Sequence, residues 1–413
     1  MTNTLNAINP TVLTQCFDWP PVGQRAIANV SRYLTEKRPL SIDGESGITE
    51  KLEQQLKLYF SCKYALLFNS GTSALHAAYF SINIPRGSAI AAPVYTYPAT
   101  VMPMLGLGLR PLFCDANPTT SNIAPESVYS ATQRGARAVV VTHMWGLPCE
   151  METIAEIAGA AGIPVIEDIS HAPGATYRDR KAGVLGDVAA ISFQAFKLLW
   201  AGEGGALLTS NREIYERAVV FAHNQRRISQ LGATSSYAPY APYGFGLKLR
   251  IHPLGAVLAL ESLRNLPLYV KKQRAQAQLL DRSFHTDRLF AAPAQEKESE
   301  RVYYTYKPLA QGSIENASAS RFEFVNRLRR EGIPARIPDS GLLANHAVFR
   351  HGLGELFQIT IPQTIDKFPG AEDFFRRAVT IPFPNMATMR QTRRIARIIC
   401  DVLKESAHRE ASI

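Results

Sequence analysis

Cysteine is scarce: Cys16, Cys62, Cys114, Cys149 and Cys400 are odd in number, far apart and in no Cys-x-x-Cys pair. That pattern argues against a disulfide framework or a thiolate metal site, and fits reduced thiols in a cytoplasmic protein. Glycine-rich nucleotide loops are missing too. No Gly-x-x-x-x-Gly-Lys-[Ser/Thr] and no Gly-x-Gly-x-x-Gly occurs, so neither nucleotide hydrolysis nor nicotinamide chemistry is indicated. The opening stretch MTNTLNAINP has no basic segment leading into an apolar one, so no secretory leader is expected. One uncharged run, Gly87 to Leu109, has the length to cross a bilayer, but Pro93, Pro98 and Pro103 interrupt it. A buried strand followed by a loop and short helix is the better reading, and no membrane partner is expected. Zinc-knuckle, helix-turn-helix and basic–aromatic patterns are absent, so no nucleic-acid partner is expected.

What is present is an ordinary globular composition with a formal charge of +10 over 413 residues. Many arginines fall late, among them Arg327, Arg329, Arg330, Arg393 and Arg394. They suit an anionic ligand, or simply the solvated faces of C-terminal helices. The length favours one large and one smaller domain. We divide the chain into an N-terminal segment 1–25, a large domain 26–265 and a small domain 266–413, with residues 1–10 and Glu405–Ile413 polar enough to fray.

Seven short apolar runs read as strands: Tyr64–Phe68, Ala89–Pro93, Pro111–Cys114, Ala138–Thr142, Pro164–Asp168, Val188–Phe193 and Gly205–Thr209. They are continuous, not alternating, so both faces of their sheet should be buried. Helical stretches such as Thr72–Phe80 and Met151–Ala161 separate them, which predicts an α/β fold with a mostly parallel sheet. Beyond about residue 265 the rhythm changes. Helices over Tyr269–Arg288, Ser320–Glu331 and Met389–Glu405 flank one aromatic strand, Arg301–Pro308, and form an α+β unit.

The candidate chemistry gathers at strand ends. Lys197 follows the strand Val188–Phe193, among Phe196, Leu198, Leu199 and Trp200. An apolar setting disfavours its ammonium and frees the amine to attack an aldehyde. Asp168 closes another strand, where α/β proteins bind ligands; a carboxylate there keeps a pyridine nitrogen protonated, although it would equally cap a helix or bind magnesium. The turn Asn69-Ser70-Gly71-Thr72-Ser73 precedes a helix, so its amides and hydroxyls suit a phosphate, or plain helix capping. Tyr95 or Tyr97 offers a ring to stack on a flat ligand, or to pack in the core.

In this order the motifs resemble the DegT/DnrJ/EryC1/StrS family of sugar aminotransferases. The likeness rests on Ser70–Leu75, Tyr95–Thr100, Glu167-Asp168 with His171-Ala172, Ser192-Phe193, and Lys197 with Gly202–Gly205, and runs from about Asp18 to Leu403. It implies pyridoxal phosphate (PLP) fold type I: a seven-stranded, mostly parallel sheet in the large domain and a smaller C-terminal α+β domain. It implies that Lys197 carries the cofactor and shuttles protons, and that Asp168 pairs with the ring nitrogen. Gly71, Thr72, Ser73 and Ser192 would hold the phosphate, Tyr97 would stack on the ring, and His171 would sit beside the phenolic oxygen.

The run Lys248-Leu249-Arg250-Ile251-His252-Pro253 resembles the cyclitol branch, the glutamine-dependent scyllo-inosose and 2-deoxy-scyllo-inosose aminotransferases. There Lys248 would reach the phosphate in the neighbouring subunit, making the active unit a homodimer with shared sites. The implied reaction moves an amino group from L-glutamine or L-glutamate to the ketone of a cyclitol or sugar, in aminoglycoside or other secondary-metabolite biosynthesis. Three stretches depart from the family's pattern: Ile169-Ser170, Gln194–Phe196, and the loop Arg226–Tyr243 near the expected substrate side. A PLP-dependent lyase, decarboxylase or dehydratase on the same fold, and a non-catalytic PLP-binding sensor, are the alternatives.

Overall fold

The structure, a computed structural model, describes residues 13–41, 47–224, 226–285, 287–339, 341–352 and 367–410. The segment 1–10 and the last three residues, expected to fray, lie outside them.

Seven strands form the central sheet: β1 Tyr64–Phe68, β2 Ala89–Pro93, β3 Arg110–Cys114, β4 Ala136–Thr142, β5 Val165–Asp168, β6 Val188–Ser192 and β7 Gly205–Thr209. Their order is β1-β7-β6-β5-β4-β2-β3, and only β7 runs against the rest. Each expected strand is found within two residues of its expected bounds. Successive residues alternate between two apolar layers: Ile90, Val140 and Ile166 pack on one face, and Ala91, Val139, Val141 and Val165 on the other. A strand covered on both sides therefore reads as an unbroken apolar run. The uncharged stretch after Gly87 supplies β2, all five residues of which are buried. Among the described residues no helix is long and apolar enough to cross a membrane.

Helix α1, Gly71–Ser81, follows β1 directly, with Ser70 as its cap: the Ser73 amide donates to Ser70 Oγ at 3.0 Å. The expected helix Tyr269–Arg288 is the second half of a longer one. Helix α2 runs over Pro253–Asp281, 29 residues, through the expected 265/266 boundary. His252 caps it and Pro253 occupies its first turn, where a missing N–H is harmless. Ala256, Leu260, Leu263, Leu266 and Val270 form one buried stripe at helical spacing, so the helix persists past Pro267.

The small domain packs α3, Ile314–Arg330, and α4, Met389–Glu410, around Phe290, Tyr306, Phe324, Leu328, Ile395 and Ile399. The expected strand Arg301–Pro308 is reduced to Thr305–Tyr306, paired with Ile381–Pro382. All five cysteines are free thiols.

Candidate active site

Parallel strands deliver their last residues to one sheet edge. There the molecule holds a cavity of about 570 Å³, lined by Thr142 from β4, Asp168 from β5 and Ser192 from β6, with Lys197 beyond. A larger groove of about 730 Å³ around Ser61, Asp187 and Asn211 lies at the opposite ends of these strands. Ligands of open α/β sheets bind at the carboxyl ends, so the smaller cavity is the site.

Two neighbouring carboxylates on β5 point to opposite faces, as strand alternation requires. Glu167 is fully buried and is consumed by structure. Its Oε1 accepts from the Leu185 and Gly186 amides, both at 2.7 Å, and its Oε2 from the Gly183 amide at 2.8 Å. His143 Nε2 lies 3.0 Å from the same Oε2. Burial alone would raise its pKa, but the His143 bond and the amides outweigh it and hold the carboxyl below the usual range. Asp168 faces the cavity. It accepts from Thr100 Oγ1 at 2.7 Å and from the Ser170 amide at 3.0 Å. Thr100 is itself tied to Thr96, which reaches Thr142 at 2.9 Å. This hydroxyl chain fixes the carboxylate while leaving it acceptor capacity for a cationic ring N–H.

Lys197 lies five residues past β6, in a loop anchored by three bonds. The Lys197 amide donates to the Gln194 carbonyl at 2.9 Å, Trp19 Nε1 to the Lys197 carbonyl at 2.9 Å, and the Ala201 amide to the Phe193 carbonyl at 2.7 Å. Phe196, expected to shield the amine, is 65% exposed. The apolar wall comes instead from Tyr304, whose ring centroid lies 4.3 Å from Lys197 Nζ. Burial pushes the ammonium down to about 8, against the pull of Asp168. A substantial fraction is then free amine at mildly alkaline pH, which is what a nucleophilic lysine needs.

Gly71 and Thr72 line the cavity at the start of α1, where the first amides have no helical acceptor. The turn is packed backbone to backbone. A Cβ on Gly71 would meet Ser192 Cβ at 2.6 Å, and one on Gly205 would meet the Ser70 backbone at 2.6 Å. Only glycine permits this approach of α1 to β6 and β7. Ser73 is half-exposed, bonded to Ser70 Oγ and outside the cavity lining.

Of the two tyrosines, Tyr95 is buried against Phe374, whereas Tyr97 is 66% exposed at the cavity with a free face. His171 is stacked on Tyr304 at 4.1 Å and near-parallel to Trp145 at 5.4 Å. Its Nδ1 is buried without a hydrogen-bond partner among the described residues. Burial first, then Lys197 and Lys307, drives its pKa well down, so the ring is neutral. Lys248 is exposed and outside the cavity of its own chain, and no residue of 226–243 lines it. Missed in the sequence were the groups the small domain contributes: Tyr304, Lys307, Arg336 and Thr380. For Lys307 a signal existed, a lone charge inside the aromatic run Val302–Ala310. Arg336 carries none.

A profile described as the DegT/DnrJ/EryC1/StrS aminotransferase family matches residues 26–399. The chain belongs to this family. As a member it is a PLP-dependent aminotransferase. An L-glutamine:2-deoxy-scyllo-inosose aminotransferase of Streptomyces fradiae is 28% identical over 376 residues, 88% of each chain. GDP-perosamine synthase of Escherichia coli O157:H7 is 24% identical over 351 residues, 84% of this chain and 88% of that one. An aminotransferase from Psychrobacter cryohalolentis shares the fold, with a TM-score of 0.81 at 23% identity, covering 94% of this chain and 99% of that one. DegT/DnrJ/EryC1/StrS relatives are thus named for both sugars and cyclitols. The residues here suit the cofactor: an orphaned His171 Nδ1, a glycine-closed helix start and a buried carboxylate opposite a softened lysine.

Proposed function

We propose that the enzyme transfers an amino group from L-glutamine or L-glutamate to the ketone of a cyclitol or sugar in secondary-metabolite biosynthesis, aminoglycosides included. The observation that carries this is Lys197 and Asp168 facing one cavity at the carboxyl edge of the sheet. Two further features support the cyclitol branch: the Streptomyces fradiae relative, and the Lys248–Pro253 run hydrogen-bonded beside the helix start through the Asn69 amide and Leu249 carbonyl at 2.8 Å.

Bound pyridoxal phosphate supplies an electron sink for negative charge developing on the substrate carbon. Lys197 would hold its aldehyde, and Asp168 would keep its ring nitrogen protonated. Gly71, Thr72 and Ser192 would take the phosphate, joined by Ser73 once it turns from its Ser70 bond; Tyr97 would cover one ring face and His171 would meet the phenolic oxygen. Once released by the incoming amine, Lys197 removes the donor's α-proton. In the reverse half-reaction it returns a proton to the acceptor carbon that has gained nitrogen. The donor leaves as a keto acid; the acceptor leaves as an amine.

Borohydride reduction of the holoenzyme followed by peptide mapping should place a pyridoxyl label on Lys197, and a label elsewhere would sink the reading. Keto-cyclitols and nucleotide keto-sugars, each assayed with both donors, identify the acceptor. Shared sites predict complementation. Mixing Lys197→Ala and Lys248→Ala chains under exchange should restore about a quarter of wild-type sites, because half the dimers are mixed and each carries one intact site.

A further inference from the structure

Lys307 and Arg336 enter the same cavity from the small domain. Lys307 is only 4% exposed. Its Nζ lies 3.8 Å from the Trp145 ring centroid and donates to Thr380 Oγ1 at 2.5 Å. An ammonium has three donors, and burying one with a single hydroxyl partner among the described residues is costly. Arg336 sits on the segment paired to Thr380, with amide–carbonyl bonds of 2.8 Å in both directions. Its guanidinium has no hydrogen-bond or ion-pair partner among the described residues. The two cations therefore lie on adjacent segments, one buried and one open, each short of an anionic partner. On the proposed reading the cofactor's phosphate would take its own place, at the Gly71–Ser192 end.

We propose that Lys307 and Arg336 form a carboxylate-binding subsite, which holds an acid group of the substrate and so orients the carbon whose bond to nitrogen is made or broken. This rests on the reading of the cavity as a transamination site. Lys307 is walled in by Trp145 and Thr380, with His171 close enough to feel its charge, so the fitting anion is small and planar. An arginine beside a lysine suits a carboxylate on a substrate that shares this cavity with Lys197. It belongs either to the amino-acid donor or to an acid-bearing acceptor.

The charged and titratable groups that face Lys307 are Arg336 and Asp339 from the small domain and His171 from the sheet edge, with Lys197 beyond. Burial first and Arg336 second push its ammonium down to about 7, with Asp339 opposing. A bound carboxylate raises that value again. Binding at pH 8 should then take up a proton, and affinity should fall as pH rises above about 7.

The test uses holoenzyme, wild type and the variants Lys307→Met and Arg336→Gln, with unreactive glutarate as probe. Calorimetry in two buffers of different ionisation enthalpy should show proton uptake for wild type at pH 8, and at least tenfold weaker binding for both variants. Single-turnover half-reactions then separate the sources. If the carboxylate is the donor's, the apparent Kd for L-glutamine or L-glutamate rises tenfold or more while the limiting rate changes less than threefold. If it is the acceptor's, the same change appears with a keto-sugar acid and not with a neutral keto-cyclitol. Change in both arms means that one subsite serves both substrates. Unchanged glutarate binding and unchanged half-reactions overturn the proposal. Should Lys307→Met fail to fold, Arg336→Gln, at an exposed position, carries the same comparison. Borohydride labelling of Lys197 in the variants fails only if the transamination reading fails.

Discussion

Glu167 and Asp168 are adjacent, both buried and both acidic, yet their amide variants should fail in opposite ways. In Glu167→Gln one carboxylate oxygen becomes an NH2 group facing donors that cannot accept. Either the Leu185 and Gly186 amides lose their acceptor, or the Gly183 amide and His143 do. Hydrogen bonds to a charged group contribute about 1.5–3 kcal/mol each, so two lost bonds cost about 3–6 kcal/mol. With unfolding entropy near 2 cal/mol/K per residue, that corresponds to a melting temperature lower by about 4–7 °C for a chain of this size. The sign with pH follows from linkage. The folded carboxyl lies below its usual range, so its stabilisation is present above an unfolded pKa of about 4.3 and is lost as pH falls through the folded value. The gap between wild type and Glu167→Gln should therefore narrow in acid. In Asp168→Asn the amide oxygen can keep the bond from the Ser170 amide, and the new NH2 group can donate to Thr100 Oγ1, a hydroxyl that can turn from donor to acceptor, so the melting temperature should move by no more than about 2 °C. Turnover should fall by about 100-fold or more, because a neutral amide no longer holds the ring nitrogen protonated. Thermal melts on both variants at pH 7 and pH 4, with steady-state rates, decide the matter. A Glu167→Gln protein as stable as wild type, or an Asp168→Asn enzyme at full turnover, would refute the division of labour.

Two other outcomes follow from the same geometry. With the Lys197 ammonium near 8, the rate at which cofactor-free enzyme takes up pyridoxal phosphate should climb about tenfold per pH unit below that value and level off above it; if the amine were unperturbed, stopped-flow absorbance would show the rate still climbing past about pH 9 with no plateau. Gly71→Ala drives a Cβ against Ser192 and should weaken cofactor binding tenfold or more in equilibrium dialysis, at a cost of about 1–3 kcal/mol in stability. Gly159→Ala, in open space on a helix, is the control and should stabilise by about 0.5–1 kcal/mol.

The sheet was readable because every strand is covered on both faces, and unbroken apolar runs such as Ile90 to Ala92 have few other uses. Asp168, Gly71 and Lys197 were readable because chain order placed them at strand ends. Tyr304, Lys307 and Arg336 were not. Tyr304 and Lys307 flank a two-residue strand, Thr305–Tyr306, whose pairing with Ile381–Pro382 joins segments more than seventy positions apart, and Arg336 sits at a single bridge to Thr380, so there is no periodicity to follow. The start of helix α2 is hidden in the sequence because a proline inside a helix ordinarily breaks it, whereas here the buried stripe carries the helix through Pro267. Glu167 shows the limit most clearly. Nothing in Ile166-Glu167-Asp168-Ile169 says what the other acid does; its partners, His143 and the Gly183, Leu185 and Gly186 amides, lie 16 to 24 positions away.

Helix α2 has a mechanical consequence. Buried Gln273 bonds the Tyr303 carbonyl at 2.9 Å and Asn385 at 2.6 Å, and Gln276 bonds the Pro384 and Ala387 carbonyls at 3.0 and 3.1 Å. The helix that starts beside the cofactor turn thus bolts down the segments on either side of Tyr304 and Thr380. A stiff strut without a joint does not fold like a clamp, so these bonds resist a swing of one lobe against the other.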